Sequence, residues 1–218
     1  YMRRIQNLME QWLFIGPDNR QEQVNLPHTW NAKDGQDGGN DYYRGTCHYE
    51  KTFEKPEFDP ETEEVYLEFL GVNASSDVTV NGKELAHHDG GYSTFRINIT
   101  EVLEDRNKLE VTVDNSVNGK VYPQKADFTF YGGIYRDVRF LIVSKEHFDL
   151  DYLGSNGIKI TPEVKENEAN VHIETFTNTE EAQVNVQIKD QDGKVVAEGN
   201  GCDVNLNIQN PIRWHGRK

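Results

Sequence analysis

The sequence lacks most of the features that place a chain in a specialised class of proteins. Its 218 residues include only two cysteines, Cys47 and Cys202, which lie far apart without metal-binding spacing around them. We interpret both as free, small core residues rather than as a disulfide. No apolar run approaches the length of a membrane span, so we expect no membrane partner. No signal peptide is visible, which decides nothing about export, and the cellular location stays open.

Positively charged residues are also scarce. Lysine and arginine together number 23, against 37 aspartates and glutamates, which gives a net charge of −14. Binding to nucleic acid requires clustered Lys and Arg that contact phosphates, so this composition argues against a nucleic-acid partner. The acidic surface itself is a common means of keeping a protein in solution and indicates no particular ligand.

Long amphipathic helices and a β-α-β alternation are absent as well. Short β-strand patterns recur instead, for example at residues 65–70, 95–99 and 109–113, with turn residues between them. Asn81-Gly82 is a strong signal for a two-residue hairpin turn. Many short strands at this spacing predict an all-β sandwich or jelly roll, and they argue against a Rossmann or barrel enzyme domain.

The composition changes near residues 144–149, where we predict a domain boundary. Beyond it aromatic residues become rare, and segments of period two recur at residues 157–162, 169–176 and 182–188. This pattern predicts an immunoglobulin-like sandwich of roughly 70 residues, slightly short of the usual size. We therefore expect a jelly-roll domain over residues 1–145 and an immunoglobulin-like domain over residues 146–218.

The chain is organised around residues 127–139. The segment 134–143 is rich in Ile, Tyr, Val, Phe and Leu, and we predict a buried strand there. Gly132-Gly133 precedes it, at a place where the backbone must turn sharply or approach something closely. Three aromatic residues lie just before this turn with one carboxylate, Asp127. The aromatic loop with its single acid is interpreted either as a place to hold a sugar or as a plug of the core.

Several short motifs follow one another in a fixed order across the predicted first domain. They are Asn25-Leu-Pro-His-Thr-Trp30, Tyr43-Arg-Gly45, Phe69-Leu-Gly-Val72, Val80-Asn-Gly82, Gly90-Gly-Tyr-Ser-Thr-Phe-Arg96, Asn98-Ile-Thr100, Val113-Asp-Asn115 and Gly132-Gly-Ile-Tyr-Arg-Asp137. In this order and approximate spacing they resemble the N-terminal sugar-binding domain of family 2 glycoside hydrolases, which include β-galactosidases, β-glucuronidases and β-mannosidases. The resemblance implies a jelly roll followed directly by an immunoglobulin-like domain. Residues 210–218 are similar to the segment that leads into the last strands of that second domain, so we expect the second domain to be incomplete.

The resemblance also implies where catalysis takes place. In the family, two glutamates of a downstream (β/α)8 barrel act as nucleophile and acid/base, with their carboxyl groups about 5 Å apart. The 37 acidic residues of this chain contain no recognisable pair of that kind. We therefore expect no catalytic residue, no metal and no cofactor here, and no hydrolysis by the chain alone. The amino-acid sequence of residues 127–136 favours a β-galactosidase-like parent enzyme.

Two residues are implied as substrate contacts of the intact enzyme. Asp127 occupies the position from which, in β-galactosidases of the family, a carboxylate of the first domain reaches the sugar in the barrel. Its alternative role is that of a turn residue that accepts backbone hydrogen bonds. Arg44 stands where some relatives carry a sugar-facing Asn, and it either donates hydrogen bonds to sugar hydroxyls or pairs with Asp41.

Other candidate residues are interpreted mainly as structural. They are His28, Trp30, Tyr92, Arg136 and Asp137. Tyr92 can also stack on a sugar, and Arg136 with Asp137 is predicted to form an internal polar pair. His87-His88-Asp89 is the best available metal cluster, but adjacent strand residues point to opposite faces and cannot chelate together easily, so no metal is assigned.

Three functions remain open from the sequence. The first is a non-catalytic N-terminal region that supports the enzyme's own catalytic barrel and lends loop residues to a pocket for a β-galactoside-type carbohydrate. The second is a free-standing carbohydrate-binding module, and the third is a structural domain that shapes an oligomer. Uncovered sheet edges in an unfinished sandwich further predict contact with another copy of the chain, so we expect a homo-oligomer.

Overall fold

The computed structural model describes residues 3–31, 43–119, 121 and 131–213. The chain divides into two compact units, Tyr1–Lys145 and Glu146–Lys218. In the described residues, helical structure is confined to 3-10 turns at Pro17–Asn19, Thr100–Val102 and Tyr152–Gly154. None of these helices has the length and apolar character needed to cross a membrane. The prediction of an all-β fold built from sandwiches is therefore confirmed.

The described part of the first unit contains two antiparallel sheets. Its strands are β1 (Arg4–Asn7), β2 (Trp12–Ile15), β3 (Gln21–Val24), β4 (Thr46–Glu54), β5 (Glu63–Phe69), β6 (Ser75–Val80), β7 (Lys83–Asp89), β8 (Phe95–Asn98), β9 (Arg106–Asp114) and β10 (Val138–Ser144). One sheet has the order β3-β2-β4-β9-β6-β7, and the other has the order β1-β10-β5-β8. Strands distant in sequence thus lie side by side, which is typical of a jelly roll.

The strands follow the period of two that separates a core face from a solvent face. In β4, Cys47, Tyr49 and Phe53 are buried while their neighbours Thr46 and His48 are exposed. β6 and β7 are joined by the hairpin that the sequence predicts. Its two central residues have positive φ angles, 51° for Asn81 and 78° for Gly82, as a type I′ turn requires.

Large aromatic side chains fill the space between the two sheets. Trp12, Tyr49, Phe69 and Phe140 are all completely buried. The Trp12 indole N–H donates to the Leu8 carbonyl over 2.9 Å, so this large ring is buried without an unsatisfied donor. The core therefore draws on both sheets and holds them together as one sandwich.

Two expectations from the sequence are wrong in detail. The strand expected at residues 134–143 begins only at Val138, because the backbone before it bonds to other segments. The Ile134 carbonyl accepts from the His28 N–H over 2.8 Å, and the Asp137 carbonyl accepts from the Leu70 N–H over 3.0 Å. Cys202, expected in the core, is exposed, whereas Cys47 is buried and free as expected.

The second unit is a smaller set of antiparallel strands. They are β11 (Ile158–Val164), β12 (Glu168–Thr175), β13 (Asn185–Lys189), β14 (Val195–Asn200) and β15 (Asp203–Gln209). In the described residues, β11, β12 and β15 form one sheet in that order, and β13 pairs with β14 in another. The core of this unit is built on Val171, Ile173 and Leu206.

Candidate functional site

One end of the first sandwich gathers six of the eight motifs named above, all except Val80-Asn-Gly82 and Asn98-Ile-Thr100. At this end β4, β6, β8 and β10 begin and β5, β7 and β9 end, as their registers show. We call it the loop end and define it by the described residues that connect these strands, 28–31, 43–45, 70–74, 90–94, 115–119 and 131–137. It contains Arg44, Tyr92 and the Gly132-Gly133 turn.

Two buried asparagines hold the loop end together. Asn31 and Asn115 are both completely buried. The Asn31 Oδ1 accepts from the Gly132 N–H over 2.8 Å, and its Nδ2 donates to the Tyr43 carbonyl over 2.9 Å. The Asn115 Oδ1 accepts from the Gly45 N–H over 2.9 Å, and its Nδ2 lies 3.4 Å from the Asn31 Oδ1. Because an amide both donates and accepts, each asparagine can satisfy buried backbone groups of two loops at once.

A third asparagine, Asn73, also bonds to the segment that contains the glycine turn. Its backbone N–H and carbonyl pair with those of Gly133 at 3.0 and 3.2 Å. Its side-chain Nδ2 donates to the Tyr131 carbonyl. None of these three asparagines was recognisable as a functional residue from the sequence, because an asparagine in a loop has the same appearance in a sequence whether it is solvated or buried. Their burial and their partners supply the missing signal.

Arg44 lies at the loop end, where the resemblance led us to expect a substrate contact. Its side chain is half-buried, and its Nε donates to the Asn115 carbonyl over 3.1 Å. The alternative partner Asp41 and the other predicted contact, Asp127, lie outside the described residues. Arg44 therefore has at least one anchoring role in the fold, and any contact with a sugar would use a guanidinium group whose direction this bond already restricts.

His28 and Trp30 are used inside the fold. The His28 Nδ1 lies 2.7 Å from the buried Tyr49 hydroxyl, and its ring packs on Phe14 with the centroids 4.8 Å apart. The Trp30 indole N–H donates to the Tyr43 carbonyl over 3.2 Å. These contacts agree with a structural interpretation of both residues.

Tyrosine rings face solvent at the loop end. Tyr92, interpreted mainly as a packing residue, is 69% exposed, and Tyr131 and Tyr43 are 48% and 39% exposed. Tyr135 differs, since its hydroxyl donates to the Gly91 carbonyl and ties two loops together. Exposed tyrosines combine an apolar face with a hydroxyl group, which suits contact with a partly polar surface such as a sugar ring.

The internal polar pair predicted for Arg136 and Asp137 is replaced by a different cluster. Arg136 is exposed, and its guanidinium lies over the Tyr135 ring, 5.9 Å from the centroid. The buried charge is Glu68 in β5, which is completely buried. Its carboxylate accepts from the Arg96 Nε and the Arg139 Nε, each at 2.5 Å, and from the Arg3 Nη2 at 3.3 Å.

The environment of Glu68 decides its charge. Burial by itself raises the pKa of the Glu68 carboxyl, because it disfavours the ionised form. Hydrogen bonds and positive charge from Arg96 and Arg139 act in the opposite direction and outweigh burial, so the pKa of Glu68 lies below its ordinary value. Glu68 is therefore an ionised buried anchor of the sheet β1-β10-β5-β8, a role that was not predicted from the sequence.

His87, His88 and Asp89, to which no metal was assigned from the sequence, lie in two different environments. His87 lies between two carboxylates, with its Nδ1 2.6 Å from Asp77 and its Nε2 3.2 Å from Asp89. The His88 ring stacks on Phe95 with the centroids 4.2 Å apart. Among the described residues, no group of three or more His, Cys, Asp or Glu side chains is arranged to hold a metal ion.

These surroundings predict different titration behaviour for three histidines. Hydrogen bonds to Asp77, and to a smaller extent to Asp89, raise the pKa of the His87 imidazole. Burial lowers the pKa of His28 and of His88. NMR titration of the imidazole protons is expected to place His87 above the ordinary value of about 6.5 and the other two below it. Replacing Asp77 with Asn should lower the pKa of His87 and leave that of His28 unchanged. A His87 that titrates below His28 would contradict the ion pairs described here.

In the first unit, two antiparallel sheets with a loop end of buried asparagines and exposed tyrosines define an all-β region of the jelly-roll class. The chain belongs to glycosyl hydrolase family 2, since the model of that family's galactose-binding domain-like region matches residues 39–150. The resemblance recognised in the sequence is therefore confirmed.

Individual relatives carry two different enzyme names. The chain is 34% identical over 212 residues to a β-glucuronidase of Bacteroides fragilis, covering 88% of this chain and 30% of that protein. It is 28% identical over 241 residues to a β-galactosidase of Thermoanaerobacter pseudethanolicus, covering 98% of this chain and 31% of that protein. The chain thus spans about a third of the length of these relatives.

Solved structures give the same result for the fold. An FMN-binding β-glucuronidase from Facaelibacterium prausnitzii L2-6 matches 98% of this chain with a TM-score of 0.90 and 38% identity, over 35% of its own length. A putative β-galactosidase from Bacteroides fragilis matches 98% of the chain with a TM-score of 0.88 and 29% identity, over 37% of its length. Both units of this chain therefore have counterparts within these larger proteins.

Proposed function

We propose that this chain is the non-catalytic N-terminal region of a family 2 β-glycosidase, which supports the catalytic barrel and contributes loop-end residues to its sugar pocket. The observation that carries the proposal is the match of 98% of the chain to only 35% of a β-glucuronidase structure. The described carboxylates near the loop end support it too. Asp89 is bonded to Ser75 and His87, and Asp114 accepts from the Ser116 N–H, so these acids serve local structure.

The substrate class is the finer part of the proposal. The sequence favoured a β-galactosidase, but relatives at 34% and 38% identity are named β-glucuronidases. We therefore propose a β-glucuronide as the substrate of the intact enzyme, with a β-galactoside as the alternative. Hydrolysis of aryl β-glucuronide, β-galactoside and β-mannoside by the full-length parent distinguishes them. The chain alone should hydrolyse none of the three substrates. Hydrolysis by the chain alone would show that it contains a catalytic pair of carboxylates.

The role of the loop end is tested by substitutions in the full-length parent. We expect Asp127→Ala to lower kcat/KM by about tenfold to a hundredfold, which corresponds to the loss of one hydrogen bond to a charged group. Arg44→Ala should weaken binding of the substrate as well, since it removes the guanidinium group and its hydrogen bond to the Asn115 carbonyl. Arg44→Lys keeps the positive charge but loses the planar guanidinium group, which can donate two parallel hydrogen bonds.

The control for these variants is Asp105→Ala, an exposed carboxylate in the turn before β9. This substitution should leave kcat and KM of the full-length parent unchanged. If Asp127→Ala also leaves activity intact, the region is a structural or oligomerisation domain and the proposed contact with substrate is wrong.

A second candidate function is a carbohydrate-binding module that acts without the barrel. The exposed rings of Tyr43, Tyr92 and Tyr131 at the loop end favour it. Calorimetric titration of the chain with the aryl β-glucuronide, β-galactoside and β-mannoside distinguishes the two functions. Binding that is abolished by Tyr92→Ala would support the module, and an absence of binding would support the accessory role.

A further inference from the structure

Among the residues that the structure describes, the strand β11 is paired along one edge and open along the other. In the described part of the chain its sheet has the order β11-β12-β15, so β11 is bonded on one side only. All of its residues, Ile158–Val164, are exposed. An exposed strand edge offers unpaired N–H and carbonyl groups to another strand.

The hydrogen bonds at the two ends of β11 show which backbone groups face outward. The Phe176 N–H donates to the Gly157 carbonyl and the Lys165 N–H donates to the Glu168 carbonyl, each over 2.8 Å. Since hydrogen-bonded pairs alternate along an antiparallel ladder, the odd-numbered residues of β11 bond to β12. The even-numbered residues therefore direct their backbone groups to the open edge. Pro162 is even-numbered, so its missing N–H costs no bond within the sheet.

The side chains of β11 are divided by the same alternation. Ile158, Ile160, Pro162 and Val164 form an apolar stripe that shares a face with the buried residues of β12. In the described part of the chain the stripe is not covered, since Ile158, Ile160 and Val164 are 40%, 60% and 54% exposed. The opposite face carries Lys159, Thr161 and Glu163.

The order of these residues is complementary to itself. In an antiparallel pair of two β11 strands with a two-fold axis at Thr161, Lys159 lies opposite Glu163 of the second copy. Ile158 then lies opposite Val164, and Ile160 lies opposite Pro162, so apolar residues meet apolar residues on one face. An isologous interface of this kind requires that one patch complement itself. We infer that β11 is a docking edge for β11 of a second copy of this chain.

The proposed pairing satisfies backbone groups and charges together. Each Ile158–Val164 pair exchanges two backbone hydrogen bonds, and each Ile160–Pro162 pair makes one, from the Ile160 N–H to the Pro162 carbonyl. Lys159 already pairs with Glu174 of its own chain and would lie between two carboxylates. The result is a continuous sheet across the two copies with the two apolar stripes side by side. A contact formed by one strand from each copy is small, so the dimer should be weak and dependent on concentration.

Sedimentation of the 218-residue chain from low-micromolar to submillimolar concentration tests the dimer, and charge variants test the register. Glu163→Lys places Lys opposite Lys in the homodimer, and Lys159→Glu places Glu opposite Glu. Each variant alone is expected to dimerise about tenfold more weakly. An equimolar mixture of the two variants restores both opposite-charge pairs and should dimerise as well as the original chain. Glu166→Lys, in the turn after β11, is the matched control and should have no effect.

A second variant addresses the backbone. Ile160→Pro removes an outward N–H but no bond to β12, so it should weaken the dimer while circular dichroism and thermal unfolding show a folded chain. A chain that is monomeric at every concentration would overturn the proposal. A dimer that none of the three substitutions in β11 weakens would also overturn it, because the contact would then lie on another surface.

Discussion

Replacement of Glu68 by glutamine is expected to lower the free energy of unfolding by about 3–5 kcal/mol. The reason is that Glu68 is the shared carboxylate of Arg96, Arg139 and Arg3 and is itself completely buried. Glutamine has nearly the same shape but removes the negative charge, which leaves partly buried guanidinium groups uncompensated. Since domains are stable by about 5–15 kcal/mol, this would be a large share of the total.

Urea unfolding followed by tryptophan fluorescence measures the effect. The control is Glu84→Gln on the exposed side of β7, which should stay within about 0.5 kcal/mol of the original chain. A Glu68→Gln chain as stable as that control would show that the cluster contributes no net stability.

The pH dependence of the same experiment identifies the charge as the cause. The pKa of Glu68 is lowered in the folded state, so its contribution is fully present above the unfolded-state value of about 4.3. That contribution is lost as the pH falls through the lower folded-state pKa. The difference between the original chain and Glu68→Gln should therefore be largest near neutral pH and narrow in acid. A difference that is constant with pH would point to packing instead.

Gly133→Ala is expected to destabilise the first sandwich by about 3 kcal/mol or more. A Cβ at this position would lie 2.5 Å from the His28 carbonyl oxygen, 2.7 Å from the Tyr49 hydroxyl and 3.1 Å from the Thr29 Cα. Two of these atoms belong to the backbone and cannot move aside as a flexible side chain would. The φ angle of +135° adds a conformational cost of about 1–3 kcal/mol, and overpacking adds about 1–3 kcal/mol.

The matched control for Gly133→Ala is Gly82→Ala. Gly82 also has a positive φ, +78°, but a Cβ there would meet nothing within 4 Å. Its cost should therefore be the conformational part alone, about 1–2 kcal/mol. The difference between the two variants, measured by thermal or urea unfolding, reports the steric conflict at the glycine turn. Equal effects would mean that the segment around His28 moves away without cost.

The sequence predicted the strands well because their signals are local. The strand pattern at residues 109–113, which lies in β9, and the Asn81-Gly82 hairpin depend on residues that are neighbours in the chain. Glu68 gave no such signal, because a glutamate between Leu67 and Phe69 has the same appearance whether it faces water or two arginines. Its partners Arg96 and Arg139 lie 28 and 71 positions away in the chain.

The candidate site was predictable only in part for the same reason. The family motifs located Arg44 and the Gly132-Gly133 turn, both of which lie at the loop end. They did not reveal that Asn31 bonds to Gly132 across 101 positions of sequence, because no local pattern records such a contact. The predicted contact at Asp127 lies outside the described residues and stays a prediction.

The hydrogen bond from Asn31 to the Tyr43 carbonyl has a consequence for how such regions diversify. It joins two residues that are 12 positions apart in the chain, so the separation of Asn31 and Tyr43 is set by a bond within the described framework. The entropic cost of a longer connection between fixed points rises only slowly with its length. Insertions, deletions or grafted peptides at positions 32–42 should therefore leave the sandwich intact. This bond thereby separates the stability of the framework from the sequence inserted between Asn31 and Tyr43.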